Sequence, residues 1–413
     1  MDLLLTNIGL LATPLGMTAQ KGSAQEDISL LKNATIGIKD CKIAFVGEQG
    51  SGTETLNTGD TTTQTIDCSG KLVTPGLVDA HTHLVFGGWR QNELKQKLEG
   101  ASYIDILKSG GGILSTVEHT RAASEDELIK KGEHLLAEML KLGVTTCEAK
   151  SGYGLTIEDE LKQLRVIETL NSTQPIDIVP TFMGAHAIPK EYADNRAAYI
   201  DLIINEMLPA VAKEQLAEFC DIFCETAVFT PEESKHILAE AKKHGLTPKI
   251  HADEIDPIGG AEVAAQVKAI SAEHLIQASD QGIKALAEND VTAVLLPATS
   301  FYLDKPYARA RKMIDENVAV AIASDFNPGS SPSLNMQLAM NLACLKYKMT
   351  PAEVLTAATL NGAAAINRAL THGSIEVGKQ ADIVVWDAPD LDYILYRFGS
   401  NLVNKVIKNG VFA

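Results

Sequence analysis

The sequence lacks any apolar run of the roughly 18 or more residues that a membrane-spanning helix requires. It also lacks an excess of basic residues, because 36 Lys and Arg stand against 53 Asp and Glu, giving a formal net charge of −17. Nucleic acids and anionic membrane surfaces repel a chain of this charge, so neither is expected as a partner. An anionic small-molecule substrate is not excluded, because one placed arginine can dominate a pocket.

Cysteine is scarce, with 6 residues in a chain of 413. The cysteines are scattered through apolar segments, which predicts free thiols in a reducing cytoplasm rather than a disulfide framework. The spacing of Cys220 and Cys224 invites a metal interpretation, but no second cysteine pair accompanies them. Buried small hydrophobic side chains are the favoured account of both.

From about Lys71 onward, short β-branched runs alternate with amphipathic stretches. Helix-like segments such as 126–142, 158–170 and 231–244 have apolar residues that recur at spacings of three and four. Eight strand–helix alternations predict an α/β fold, a (β/α)8 barrel of the TIM type more than an open sheet. The eight strand candidates are 76–80, 143–149, 176–183, 220–229, 247–254, 269–275, 291–298 and 318–326.

The two ends of the chain have a different pattern, of short strand-like pieces joined by Gly, Asn and Asp turns. The apolar start, MDLLLTNIGLLATPLGM, has no basic region and predicts a strand rather than a signal peptide. Near the other end, NKVIKNGVFA carries an Asn-Gly hairpin signal. We expect both ends to pair into one small discontinuous β-sandwich domain. The predicted division is 1–70 for its first part, 71–373 for the barrel and 374–413 for its second part.

Five of the ten histidines fall at the ends of predicted barrel strands, where this fold builds its active sites. Residues two apart in a strand point to the same side, so His81 and His83 can both face the barrel mouth. His251 and Asp325 end the fifth and eighth strands and would approach from across the barrel. Three imidazoles and a carboxylate suit a divalent metal such as zinc, or iron, with a position left for water. Such a metal polarises a carbonyl and lowers the pKa of that water, which predicts a hydrolase.

Two other features have plainer accounts. The glycine-rich stretch at 108–113 lacks the preceding strand and the Gly-Lys-Ser/Thr ending of a phosphate loop. It predicts a flexible loop, with a lid over the barrel mouth as a hypothesis. The histidines outside strand ends lie in predicted helices or loops, where an exposed surface position is expected: His119, His134, His236, His244 and His372.

Taken together, these motifs resemble the amidohydrolase superfamily. The likeness rests on VTPGLVDAHTHL, on a histidine in each of the fifth and sixth strands and on the aspartate of the eighth. GSIEVGKQADIVVWD is similar to the segment with which the superfamily returns into its small β domain. Further stretches resemble the imidazolonepropionase family of histidine degradation. They are HTHLVFGGWR, SGGGILSTVEHTR, CEAKSGYGL, PTFMGAHAIP, HADEI, AEHL and SDFNPGSSPS. The resemblance covers the chain from about residue 70 to its end.

The resemblance implies one bound metal ion, divalent or trivalent, with zinc and iron left open. Its ligands would be the four strand-end residues named above, His81, His83, His251 and Asp325. Relatives that hold two metals carry a lysine on the fourth strand, whereas here that strand ends in Glu225.

The resemblance also implies the reaction, in which a metal-bound water attacks the ring carbonyl of 4-imidazolone-5-propanoate and gives N-formimidoyl-L-glutamate. Arg90 and Tyr153 would hold the propanoate carboxylate, since an arginine fork donates two parallel hydrogen bonds to such a group. His186 would contact the ring or its carbonyl. Three residues after the eighth strand would complete the pocket: Asn327, Gly329 and Ser330.

Proton transfer would fall to three residues near the metal. Asp325 and His274 stand where a proton can be taken from the water, and Glu254 is a candidate to meet the ring nitrogens and protonate the leaving one. Which of the three is the general base stays open at this point. The family resemblance further implies a homodimer in the cytoplasm.

Two alternatives remain. HADEID, with His251 and Glu254, is also similar to a motif of cytosine-type deaminases, so a deaminase of a cyclic amidine or pyrimidine is the nearest rival. Arg90 and Tyr153 discriminate, because a neutral base does not need them. A non-catalytic binding or assembly protein of the same fold is the second alternative, but such a protein would be expected to lose metal ligands, and all four are present.

Overall fold

The computed structural model describes residues 1–48, 50, 63–100 and 111–413. The glycine-rich stretch at 108–113, for which a lid is the hypothesis, lies partly outside these residues, because 108–110 are not described. None of the described helices combines the length and the apolarity needed to cross a bilayer. All six cysteines are free thiols, as predicted, and Cys220 and Cys224 are buried.

Eight parallel strands form the barrel, which confirms the predicted fold class. Each strand pairs with the next along the chain. The sheet closes between the segment that follows the last strand and the segment that follows the first. There the His83 backbone amide donates to the Phe326 carbonyl at 2.8 Å, and the Asp325 backbone amide donates to the His81 carbonyl at 3.1 Å. The barrel strands are β6 Leu77–Asp79, β7 Val144–Lys150, β8 Asp177–Ala185, β9 Phe219–Cys224, β10 Thr247–Ala252, β11 Ser271–His274, β12 Thr292–Leu295 and β13 Val320–Ile322.

Helices cover the outside of this barrel. The three predicted helices are present as Glu125–Lys141, Ile157–Thr173 and Pro231–Lys243. Ser124 and Thr230 begin the first and third of these with capping boxes, which satisfy backbone donors that the first turn leaves unpaired. The other α-helices in the described part of the chain are Leu94–Leu98, Ile113–Ala122, Arg196–Leu202, Leu208–Glu214, Gly260–Val267, Asp280–Glu288, Pro297–Tyr302, Ala310–Asp315, Met336–Tyr347, Pro351–Ala358, Leu360–Ala365 and Leu391–Tyr396.

Both chain ends meet in one mixed sheet, as predicted. Its strands are β1 Leu3–Pro14, β2 Ile28–Lys39, β3 Lys42–Glu48, β4 Gln64–Asp67, β5 Leu72–Pro75, β14 Ile383–Trp386, β15 Val403–Lys408 and β16 Val411–Phe412. Their order in the sheet is β16-β15-β14-β5-β1-β2-β3, with β4 beside β1. The predicted Asn-Gly turn joins β15 to β16, with Asn409 and Gly410 at φ of 52° and 76°, the left-handed values that a tight hairpin requires. The division of the chain at 70/71 and 373/374 stays a prediction.

A cluster of charged side chains joins the mixed sheet to the first residue of β8. The Lys408 ammonium donates to Asp177 at 2.6 Å and to Asp382 at 2.7 Å. His372 Nε2 lies 2.8 Å from the same oxygen of Asp177, so the prediction that His372 is exposed is wrong. Two carboxylates and an imidazole could attract a metal ion, but the ammonium already bridges the carboxylates, and the cluster acts as an ionic clamp between the two sheets.

Candidate active site

Three histidines and one aspartate converge at the carboxyl end of the barrel. The HxH pair follows β6, where the closing backbone hydrogen bonds hold it against the Asp325 segment. Asp325 Oδ1 lies 3.5 Å from His81 Nε2 and 3.8 Å from His83 Nε2. His251, on β10, brings its Nε2 within 3.4 Å of His83 Nε2. The four side chains predicted as ligands are therefore brought together.

Buried carboxylates fix the ring orientation of two of these histidines. Glu273 Oε2 lies 3.0 Å from His81 Nδ1, and Asp221 Oδ1 lies 3.1 Å from His251 Nδ1. A carboxylate at Nδ1 places the ring hydrogen there and leaves the Nε2 lone pair facing the centre. Burial in the barrel mouth, next to other cationic groups, also lowers the pKa of His81 and His83 well below its usual value. Both rings are therefore neutral, which is the form that binds metals.

This arrangement fits a metal ion. The buried Nε2 of His81 has no hydrogen-bond partner in the described part of the chain, and it faces a carboxylate oxygen. Lone pairs that face one another repel unless a cation lies between them. A tetrahedral zinc site with bonds of about 2.1 Å has ligand–ligand edges of roughly 3.4 Å, close to the separations observed here. His274 belongs to a second compatible set, with His81 and Asp325.

The backbone is strained at two positions of the site. His274 and Asp325 have φ of 67° and 52°, which residues other than glycine rarely adopt. The Thr299 hydroxyl donates to Asp325 Oδ2 at 2.6 Å, and the side-chain amide Nδ2 of Asn327 donates to the backbone carbonyl of Asp325 at 2.7 Å. Such conformations persist where the surroundings hold them, and they cluster at functional sites.

A buried ionic network lies beneath the histidines. The Lys150 ammonium, at the end of β7, donates to Glu148 and Asp221 at 2.7 Å each. Lys249 lies 3.4 Å from both Glu148 and Glu273. Burial opposes the charge of Lys150, but the carboxylates of Asp221, Glu148 and Glu273 outweigh it and raise the pKa of that amine above its usual range. Lys150 is thus an ion-pair partner of the carboxylate that orients His251.

His186 and Tyr153 stand beside the metal position. The His186 ring stacks on His83 with centroids 4.9 Å apart, and the Tyr153 ring lies 5.2 Å from His186. His186 Nδ1 lies 3.0 Å from the Gly152 carbonyl, which leaves Nε2 for a ligand. Burial lowers the pKa of His186 to about 3, so the ring is neutral.

Arg90 lies against the loop that follows Asp325. A Cβ built on Gly329 would come within 2.1 Å of Arg90 Nη1, so this approach requires glycine. Asn327 closes the loop on itself, because its Oδ1 accepts from the amides of Gly329 and Ser330 at 2.8 and 2.7 Å. The structure thus gives Asn327 a loop-holding position, and its contact with substrate, like those of Gly329 and Ser330, stays a prediction.

Glu254 faces the site from beyond β10. Its Oε2 lies 3.6 Å from His274 Nε2. Burial, with the nearby charges of Asp325 and Glu225, raises the pKa of Glu254 to about 8. A carboxyl group with that pKa holds its proton at neutral pH and can act as an acid.

The sequence prediction missed the residues that orient the ligands. A usable signal was present, since Asp221, Lys249 and Glu273 interrupt apolar strand runs, and a charge in a strand buried on both faces requires a partner. Lys249 and His251 also lie two apart on one strand and so share a face. Glu93, which pairs with Arg90, sits in a polar segment and gave no such signal.

Comparisons with known proteins agree with this geometry. The model of the amidohydrolase family matches residues 72–413. An imidazolonepropionase of Brevibacillus brevis is 55% identical over 94% of this chain and 92% of its own, and one of Bacillus cytotoxicus is 53% identical over 100% and 97%. A solved adenosine deaminase of Xanthomonas campestris with bound zinc has a TM-score of 0.70 at 20% identity and covers 100% of this chain and 92% of its own.

The likeness to the solved deaminase shows the fold alone. A deaminase function is therefore less supported than the imidazolonepropionase function that the sequence relatives indicate. The presence of all four predicted ligands and the enzyme names of those relatives also argue against a non-catalytic protein. The resemblance seen in the sequence is confirmed. The chain belongs to the amidohydrolase family and, within it, to the imidazolonepropionases.

Proposed function

We propose that this protein is a metal-dependent hydrolase that opens the ring of 4-imidazolone-5-propanoate to N-formimidoyl-L-glutamate. The observation that carries the proposal is the convergence of three imidazoles and Asp325 next to the loop on which Arg90 rests. The names of relatives more than half identical to this chain support the same substrate. We also propose a homodimer in the cytoplasm, as the family resemblance implies.

His81, His83, His251 and Asp325 would hold one metal ion. The donor set suits zinc or iron, and the zinc in the Xanthomonas neighbour supports zinc. When bound there, such an ion polarises a carbonyl and lowers the pKa of water.

Substrate would be oriented from its two ends. Arg90 and Tyr153 would bind the propanoate carboxylate, with the arginine supplying parallel hydrogen bonds. His186, stacked on His83, would meet the imidazolone ring through its Nε2. Positioning of this kind brings the ring carbonyl to the reacting groups and lowers the entropic part of the barrier.

Proton transfer would use Asp325, His274 and Glu254. Asp325 and His274 are the two candidates for taking a proton from water. Burial lowers the pKa of His274 well below its usual range, so this ring is neutral. Glu254 would carry the proton that the leaving ring nitrogen requires as the C–N bond breaks.

A coupled assay tests the reaction and the metal together. Imidazolonepropionate generated enzymatically from urocanate should lose its absorbance when the protein is added, and formimidoylglutamate should appear. A chelator should abolish this loss of absorbance, and added zinc or iron should restore it, because the reaction needs a metal ion to polarise the carbonyl and lower the pKa of water. Loss at only the spontaneous rate, from protein shown to contain metal, would overturn the proposal. Turnover of cytosine or guanine instead would favour the deaminase.

The pH profile should report Glu254. The acid form is the active one, so kcat should fall as pH rises through about 8, the pKa to which burial raises this carboxyl group. Glu254→Gln should lower kcat by about 10²- to 10⁴-fold, the range for losing an acid–base group. It should also remove the alkaline limb of the profile. An unchanged alkaline limb in this variant would assign that limb to another group.

A further inference from the structure

We infer that Glu93 is a positioning residue that sets specificity for a carboxylate-bearing substrate, because it fixes which edge of the Arg90 guanidinium faces the pocket. The inference rests on the proposed function for the identity of the substrate. It adds a residue and a geometric cause, since the resemblance assigns carboxylate binding to Arg90 and Tyr153 and gives Glu93 no role.

Glu93 occupies one edge of the guanidinium completely. Arg90 Nε donates to Glu93 Oε1 and Arg90 Nη2 donates to Glu93 Oε2, both at 2.9 Å. This is the side-on pairing, in which two parallel N–H groups meet two carboxylate oxygens. The terminal edge, made of Nη1 and the outer hydrogen of Nη2, points away from Glu93 and keeps the same fork geometry for a second carboxylate.

Glu93 is fixed and does not act as a mobile stand-in for substrate. It is 2% exposed, whereas the Arg90 side chain is 12% exposed. Its Oε1 also accepts from the Gly112 amide at 2.7 Å, at the position that precedes the helix Ile113–Ala122. A buried carboxylate would lose these bonds from Arg90 and Gly112 if it moved aside, which is costly in a place that water does not reach.

Gly329 lies against the Arg90 guanidinium near Nη1. An added Cβ would lie 2.1 Å from Nη1 and 2.8 Å from Cζ. The guanidinium therefore contacts both the Glu93 carboxylate and the Gly329 backbone. Glu93 acts on substrate only through Arg90, and Gly329 has this effect on Arg90 in addition to any contact of its own with substrate.

Specificity follows from charge as well as position. A substrate carboxylate that approached the side edge would meet the negative charge of Glu93, so only the terminal edge accepts it. An arginine already ordered in this way loses less conformational entropy when it binds, which favours affinity.

The test compares two substrates that differ only in the carboxylate. Kinetics of Glu93→Ala would be measured on imidazolonepropionate and on 5-ethyl-4-imidazolone, which has the same ring. We expect KM for the first to rise by about 10- to 100-fold, as for losing charged hydrogen bonds, with little change in kcat and none for the second substrate. Glu93→Gln, which keeps the shape and an acceptor, should recover part of the loss. Glu99→Ala, at an exposed position six residues further on, is the matched control.

Binding provides a second readout that does not need turnover. The dissociation constant of imidazole-4-propanoate should rise in Glu93→Ala by the same factor, and that of 4-ethylimidazole should not. Gly329→Ala should reproduce this selective loss by displacing Arg90, and it serves if Glu93→Ala does not fold. In an Arg90→Ala background, Gly329→Ala should have no further effect on carboxylate binding.

A fall in KM for Glu93→Ala would overturn the inference, since it would mean that Glu93 competes with substrate for Arg90. Equal losses on both substrates would also overturn it and would assign Glu93 to folding alone. Failure of the proposed function is distinct, because it would appear as wild-type protein without turnover, while the two binding constants would still test Glu93.

Discussion

His251→Ala is expected to lose its metal and its activity together. The Nε2 of His251 faces the centre because Asp221 holds Nδ1 on the opposite side of the ring. Loss of an outer partner alone typically weakens metal binding by 10- to 100-fold, so loss of the ligand should weaken it by more than ~100-fold. Metal content after dialysis, and turnover with the metal restored in excess, would measure the two effects.

His134→Ala is the matched control for this variant. His134 lies on the helix Glu125–Lys141, and its side chain is 75% exposed in an ion pair with Glu138. It should keep wild-type metal content and rate. Normal metal content and turnover in His251→Ala would remove His251 from the ligand set and leave His274 as the alternative partner of His81 and Asp325.

Lys150→Met is expected to destabilise the folded protein strongly. It keeps a side chain of similar length but leaves Glu148 and Asp221 without the ammonium that both contact at 2.7 Å. Removing one partner from a buried ion pair typically costs about 3–5 kcal/mol, because the remaining charge cannot be solvated. Urea denaturation of the metal-free protein would measure the loss without a contribution from metal binding.

Two further variants separate this effect from a general loss of charge. Lys284→Met removes a lysine whose side chain is 71% exposed, and it should change stability by less than about 1 kcal/mol. Adding Glu148→Gln to Lys150→Met should recover part of the loss, because it removes one of the stranded charges. A loss in Lys150→Met no larger than that of the exposed control would mean that the network is not ionised in the folded protein.

The structure separates ligand binding from ligand orientation. The histidines that meet at the centre come from β10 and the segment after β6, but the carboxylates that turn them come from β9 and β11. Lys150 on β7 ties one of these carboxylates to Glu148. Replacing one of these buried charged residues would therefore disturb the orientation of a histidine ligand, even though no ligand is altered.

The linear pattern was sufficient for the barrel, the mixed sheet of the chain ends and the Asn-Gly hairpin. Each depends on hydrophobic periodicity or turn residues within a short stretch, so neighbouring residues of the sequence determine it. It was also sufficient to bring His81, His83, His251 and Asp325 to one rim, because strand ends of a parallel barrel share that rim.

Only the tertiary structure decided which charges pair. Glu273 meets His81 across 192 positions of the chain, and Lys150 meets Asp221 across 71. The register between strands and the closure of the barrel select these partners, and neither is encoded by local propensity. Glu93 and Arg90 are three residues apart, yet the Gly329 backbone that lies against the same guanidinium comes from a distant part of the chain. Buried charges must find a partner in the interior, and long-range packing determines which partner is within reach.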